Sequence, residues 1–165
     1  SRRTVIVLAI VLLVGAGLWL KFRPTPEKAV RKRFTALAEV VSRGGDEAVT
    51  STGLKMTRLG VLLAPEVTIT VSGFPGDTQV SSERLVSEIS RGRMLFSRIA
   101  LRFHDLQIRF PDRQTAEVTC SARLSMTASQ GGESVDEFRR LHCRLVRPER
   151  AWVFEAFSEE PLLRR

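Results

Sequence analysis

From Ala116 to Ala128 every even-numbered residue is apolar (Ala116, Val118, Cys120, Ala122, Leu124, Met126, Ala128), and Glu117, Thr119, Ser121, Arg123, Ser125 and Thr127 fill the odd positions. A period of two over that length is compatible only with a long β-strand that has one face in a core and one in solvent. Such a strand needs neighbours whose apolar residues fall on the same face. A two-residue turn at Gly131 and Gly132 predicts pairs numbered to sum to 263, setting Leu141, Cys143 and Leu145 against Ala122, Cys120 and Val118. A second turn at Pro148 and Glu149, with sum 297, sets Leu145, Cys143 and Leu141 against Trp152, Phe154 and Ala156. Both registers leave the apolar faces together.

Upstream, Leu106, Ile108 and Phe110 join that face if the connection starting at Pro111 has three or five residues. Leu101 and Phe103 have the opposite parity, so a bulge is expected near His104 and Asp105. Three helices precede these strands. Thr25, Pro26 and Glu27 read as N-cap, first helical residue and acidic first turn, with Val30, Phe34, Leu37 and Val41 forming the buried stripe until Gly44 and Gly45. A second helix is expected from about Asp46 to Leu63, with Val49, Met56, Leu59 and Leu63 on one face and Pro65 after it. A strand follows over Glu66 to Ser72, then a loop over Gly73 to Asp77. Ser81 or Ser82 caps the third helix, in which Leu85, Val86 and Ile89 face inward and Met94, Leu95 and Ile99 continue the apolar surface.

Helix, helix, strand, helix and then long antiparallel strands, with LLAPEVTITV joining a helix to a strand and ERAWVFEAF closing the chain, resembles the nuclear transport factor 2-like superfamily, including its polyketide-cyclase-like and ketosteroid-isomerase-like members. The resemblance covers roughly residues 26 to 158 and contains no catalytic signature. It implies an α+β cone: three helices packed on a curved, mainly antiparallel sheet, often around a pocket, with dimers formed through the outer sheet face. Such a fold hosts many unrelated functions.

The run Thr4 to Leu20 carries no charged residue and would reach about 25 Å as a helix. It is expected to be a single transmembrane span, with Trp19 and Phe22 at the interface and Lys21 and Arg23, like Arg2 and Arg3, at the headgroups. A cleaved signal peptide fits less well, because Leu18, Trp19 and Leu20 follow the small residues Gly15, Ala16 and Gly17. A soluble core helix would show a polar face, and this run has none. The expected organisation is an anchor over 1–24, the cone domain over 25–158 and a tail over 159–165.

Net charge is +8, yet residues 1 to 33 hold eight Lys/Arg against Glu27, a net of +7, and the remaining 18 basic and 17 acidic residues leave +1. Basic excess confined beside an apolar run points to anionic lipid headgroups as partner and argues against nucleic acid, which needs positive charge on the folded surface. The basic residues after the run favour a cytoplasmic domain by the positive-inside rule. The two arginines leading directly into the run resemble a bacterial export anchor, which places the domain on the periplasmic side of the inner membrane. The periplasmic placement is the expectation adopted.

Catalytic chemistry is sparsely represented. The chain has no Tyr to stabilise an enolate. Its Asp residues fall mostly at turns or on outward positions, His104 sits at the expected bulge, and His142 faces outward opposite Glu155. Two Cys and two His lie at no metal-ligand spacing, no glycine pattern forms a phosphate loop, and no cofactor is implied. Two inward charges stand out, Glu137 and Arg139, opposite Met126 and Leu124, where they would line a pocket mouth or project past the helices into solvent. Phe138, Val146, Val153 and Phe157 are expected on the outer face, interrupting Arg140, Arg144 and Glu155. The favoured reading is a non-catalytic, membrane-anchored interaction or assembly module, a homodimer or a subunit of a larger complex. The alternative is a small-ligand pocket protein or enzyme using the cone interior. Cys120 and Cys143, directly opposed with Cα atoms about 5.5 Å apart, are expected as buried reduced thiols rather than a disulfide.

Overall fold

A computed structural model of the chain describes residues 25–72 and 78–160. Helix α1 (Pro26–Val41) is capped by Thr25, whose hydroxyl accepts from the Lys28 amide at 3.3 Å, and buries Val30, Phe34, Leu37 and Val40. Helix α2 (Val49–Leu62) starts three residues later than expected and buries Leu59 and Leu62; Val49, expected inside, is 88% exposed because it stands at the helix entrance, ahead of the face that packs. Strand β1 (Leu63–Thr70) begins before Pro65 rather than after it. A short strand β2 (Thr78–Ser81), not anticipated, leads into helix α3 (Ser82–Leu95), with Ser81 as its N-cap. Leu85, Val86 and Ile89 pack partly against the core, whereas Met94 and Leu95 are exposed. Strands β3 (Phe96–Arg109), β4 (Thr115–Ala128), β5 (Ser134–Val146) and β6 (Val153–Glu159) complete the domain.

The six strands form one curved sheet in the order β2-β1-β6-β5-β4-β3, antiparallel except where β1 runs parallel to β6. Its inner face packs on the helices. Phe34 makes edge-to-face contacts with Phe103 and Phe154, at centroid distances of 5.1 and 5.0 Å, and so ties α1 to both halves of the sheet. The bulge in β3 lies where parity places it: His104 pairs with Ser121 and Gln107 with Thr119, and Asp105 takes a φ of 55°. That extra residue moves Leu101 and Phe103 onto the same face as Ile108, which pairs with buried Val118.

Two registers differ from expectation. The chain reverses over four residues, with the Ala128 amide donating to the Glu133 carbonyl at 2.9 Å and Gly131 and Gly132 at φ 90° and 65°. β4 and β5 therefore pair two residues away from the two-residue hairpin: Cys120 lies opposite Leu141, and Cys143 opposite Val118. A slip of two preserves every face, so the core is the same and only the partners change. Between β5 and β6 the pairing shifts from Leu145–Phe154 to Arg144–Ala156, an irregularity that inserts one residue. Beyond it the faces of β6 invert. Phe157, expected outside, lies opposite Cys143 on the inner face and stacks on Phe154 at 5.3 Å, and His142 faces Ser158 instead of Glu155.

Among the described residues no helix is long and apolar enough to cross a membrane. The expected anchor over 1–24, with Trp19, Lys21, Phe22 and Arg23, lies outside the described residues.

Candidate ligand cavity

The inner face of the sheet and the three helices do not close completely. Between them is a cavity of about 490 Å³, walled by Leu37 and Val41 of α1, Leu59 of α2, Leu85 and Ile89 of α3, and Leu101, Phe103, Leu124, Leu141 and Phe157 of the sheet. This volume is within the usual range for small-molecule sites, as is a lining of apolar side chains with a few polar groups at one place. The bulge in β3 and the irregularity in β6 both contribute directly: without them, Phe103 and Phe157 could not share this lining with the residues around them.

Among the described residues its polar groups are Ser72, Glu137 and Arg139. On β5, Glu137 pairs with Leu124 and Arg139 with Ala122, so strand alternation turns both charged side chains toward the cavity. With 41% and 33% of their side-chain surfaces exposed, they stand at its mouth rather than in its depth. Arg139 is held on two sides. Its Nε donates to Glu137 Oε2 at 3.2 Å, and its Nη1 donates to Glu159 Oε2 at 3.0 Å and to the Ser72 carbonyl at 3.4 Å. Burial works against charge on this guanidinium, but the two carboxylates more than offset it and raise its pKa. Glu159 also accepts from the Ser72 amide at 2.9 Å, and this bond, with the Arg139 charge, holds its carboxyl below the ordinary value. Glu159 escaped the sequence reading because it fell just past the assumed end of the domain, and Ser72 because strand alternation made it a polar residue opposite in parity to Val67, Ile69 and Val71.

A second polar cluster was also missed. Arg93, 2% exposed, donates through Nη1 to the carbonyls of Val40, Val41 and Ser42 at 2.6, 2.9 and 3.1 Å, and through Nη2 to Glu47 at 2.5 Å. It occupies the C-terminus of α1, whose last turn has no basic residue of its own to meet the free carbonyls. Glu47 is also paired with Lys55 at 3.0 Å. Burial pushes the Glu47 carboxyl up, and the Lys55 hydrogen bond with the Arg93 and Lys55 charges outweighs that, leaving it below the ordinary carboxylate value. For Arg93, burial lowers the pKa and Glu47 restores only part of it. The cluster joins α1 to α3 behind the cavity wall formed by Val41 and Ile89.

Elsewhere the candidate residues are dispersed. His104 is exposed and borders a shallow groove with Arg31 and Phe34, and His142 is on the outer face. No group of His, Cys, Asp and Glu among the described residues could hold a metal. Phe138 is 67% exposed opposite Arg123, while Val146 pairs with Val153 at the far end of β5, about 27 Å away along the strand. Ion pairs occupy the outer face around them: Arg109–Glu117, Arg123–Asp136, Arg140–Glu160 and Arg144–Glu155. Cys120 and Cys143 are free and buried, with their thiols in contact. Contact with Cys120, then burial, pushes the Cys143 thiol up, while Cys120 is held lower because Cys143 donates to it.

Neither a protein-family model nor a curated protein sequence matches this chain. Solved structures do match in shape. Kfla4162 from Kribbella flavida superposes with a TM-score of 0.68 at 12% identity, covering 81% of this chain and 88% of its own. An NTF2-like family protein from Streptomyces avermitilis gives 0.64 at 17% identity over 83% and 97% of the two chains. The LinA-type3 hexachlorocyclohexane dehydrochlorinase of Novosphingobium barchaimii gives 0.61 at 12% identity over 81% and 84%. At these identities the likeness concerns architecture alone, and the fold of residues 25–72 and 78–160 is similar to the nuclear transport factor 2-like cone.

Proposed function

We propose that the domain binds a small, largely apolar molecule inside the cone. The observation that carries this reading is the apolar cavity of about 490 Å³ with Ser72, Glu137 and Arg139 at its mouth. A purely structural core would fill that space, since protein interiors pack to crystal-like density. The assembly-module reading is weaker, because Phe157 faces inward and, among the described residues, the remaining outer apolar side chains form no continuous patch. Catalysis is a second reading, favoured by the enzymatic neighbour among similar folds. Any proton transfer in the cavity would fall to Glu137, the carboxylate that lines it.

Titration of the full chain with N-phenyl-1-naphthylamine, a neutral dye that brightens in apolar sites, tests binding. Leu141→Trp and Val71→Trp each put an indole into the cavity and should weaken dye binding about tenfold, or about 1.4 kcal/mol. Undiminished binding in both variants would refute the cavity as the site.

We further propose that residues 1–24 hold this domain at the bacterial inner membrane, on its periplasmic side, with the basic residues against anionic headgroups. The apolar run and the confinement of basic excess to residues 1 to 33 support this placement. Carbonate extraction should leave the chain in the membrane pellet, and a soluble product beginning near Leu18 would refute it. A second copy or a membrane subunit would meet the outer sheet face, where Phe138 is the large exposed side chain.

A further inference from the structure

Resting on the binding reading above, the geometry points to a ligand that presents a hydrogen-bond donor, a protonated amine or a hydroxyl, at the cavity mouth, and we propose that a carboxylate head is rejected there. An arginine at the mouth of an apolar pocket would ordinarily suggest the opposite, an anionic head such as that of a fatty acid. Arg139 is not available in that way. Each of its three nitrogens already faces an acceptor: Nε and Nη2 lie 3.2 Å from Glu137 Oε2, and Nη1 lies 3.0 Å from Glu159 Oε2. Two carboxylates flank one guanidinium, so these three rim side chains carry a net charge of −1 before any ligand arrives.

The vacant hydrogen-bonding capacity is on the acid side. Glu137 uses only Oε2 toward Arg139, and its Oε1 has no partner among the described residues. Glu137 shares the cavity lining with Leu124, its partner across the strands, and with Leu141, so this free acceptor belongs to a residue of the apolar wall. A donor head would complete it with a charge-assisted bond. A carboxylate would have to displace Glu137 or Glu159 from Arg139, and Glu159 is additionally held by the Ser72 amide at 2.9 Å. Specificity therefore comes from repulsion as much as from attraction.

Three probes that share one rigid hydrocarbon cage separate this inference from the binding reading itself: 1-adamantylamine, 1-adamantanol and adamantane-1-carboxylate at pH 7. Each is titrated against the full chain preloaded with N-phenyl-1-naphthylamine. The amine and the alcohol should each displace the dye at concentrations at least about tenfold below the carboxylate. In the double variant Glu137→Gln, Glu159→Gln the rim charge changes from −1 to +1, and the carboxylate should become the preferred probe. Dye that never binds, or that binds equally in Leu141→Trp and Val71→Trp, would defeat the binding reading. Dye that binds in the cavity but is displaced as well by the carboxylate as by the amine, or a preference that survives the double variant, would overturn the head-group inference alone.

Discussion

Replacing Arg93 with Met keeps most of the aliphatic volume and removes the guanidinium that joins the end of α1 to Glu47. The loss can be worked from its contacts. Removing one partner of a buried ion pair typically costs about 3–5 kcal/mol, because the other charge stays buried. Here Glu47, with 6% of its side-chain surface exposed, retains Lys55 at 3.0 Å and Thr52 at 3.1 Å, which moves the ionic part toward the lower end. The Ser42 carbonyl likewise retains Lys55 at 2.9 Å. The Val40 and Val41 carbonyls lose their side-chain donor, and unmet buried acceptors cost about 1–3 kcal/mol each, less wherever water reaches them. Arg93→Met should therefore destabilise the domain by about 3–4 kcal/mol, lowering Tm by roughly 10 °C for a domain of this size. Urea unfolding followed by tryptophan fluorescence measures it, since Trp152 is buried in the core. The double variant Arg93→Met, Glu47→Met should recover part of the loss, because the buried carboxylate goes with its partner, while Lys55, 23% exposed, keeps the Ser42 carbonyl and reaches water. A change below about 1 kcal/mol in the single variant, or no recovery in the double, would refute the reasoning. Because Val41 and Ile89 line the cavity beside this cluster, dye binding should weaken in parallel with stability.

Phe157→Ser should cost about 2–3 kcal/mol, since it removes a half-buried ring stacked on Phe154, whereas Phe138→Ser should stay within about 0.5 kcal/mol because that ring is 67% exposed. Equal effects in denaturant unfolding would contradict the irregularity in β6. Alkylation should leave Cys120 and Cys143 unlabelled in the folded chain and label both after unfolding without reductant; mass measurement showing no label would reveal a bond. Acid should destabilise the domain as Glu47 is protonated. Its folded pKa lies below the ordinary carboxylate value, so its contribution is present above that ordinary value and is lost as pH falls through the lowered one. Glu47→Gln should flatten the stability profile in that window, and an unchanged profile would show that Glu47 is not the group responsible.

The faces of β1, β3, β4 and β5, the three helices and the switch of parity at His104 and Asp105 could be read from the sequence, because side-chain period is a local property. Alternation assigns each residue of a continuous strand to a face, and an apolar stripe marks the buried side of a helix. The inward placement of Glu137 and Arg139 came from the same rule. The pairing partners needed the tertiary structure. A two-residue and a four-residue reversal at Gly131 and Gly132 give the same faces, so the pattern cannot distinguish Cys143 from Leu141 as the neighbour of Cys120. The irregularity between β5 and β6 inserts one residue where no sequence signal marks it, and this alone turned Phe157 from an expected interface residue into part of the cavity wall. Arg93 and Glu47 are 46 residues apart and meet only when α3 packs at the end of α1. The cavity itself has the same origin: its apolar side chains read as core filling in the sequence, and only the curvature of the sheet decides that they line a space instead of closing it.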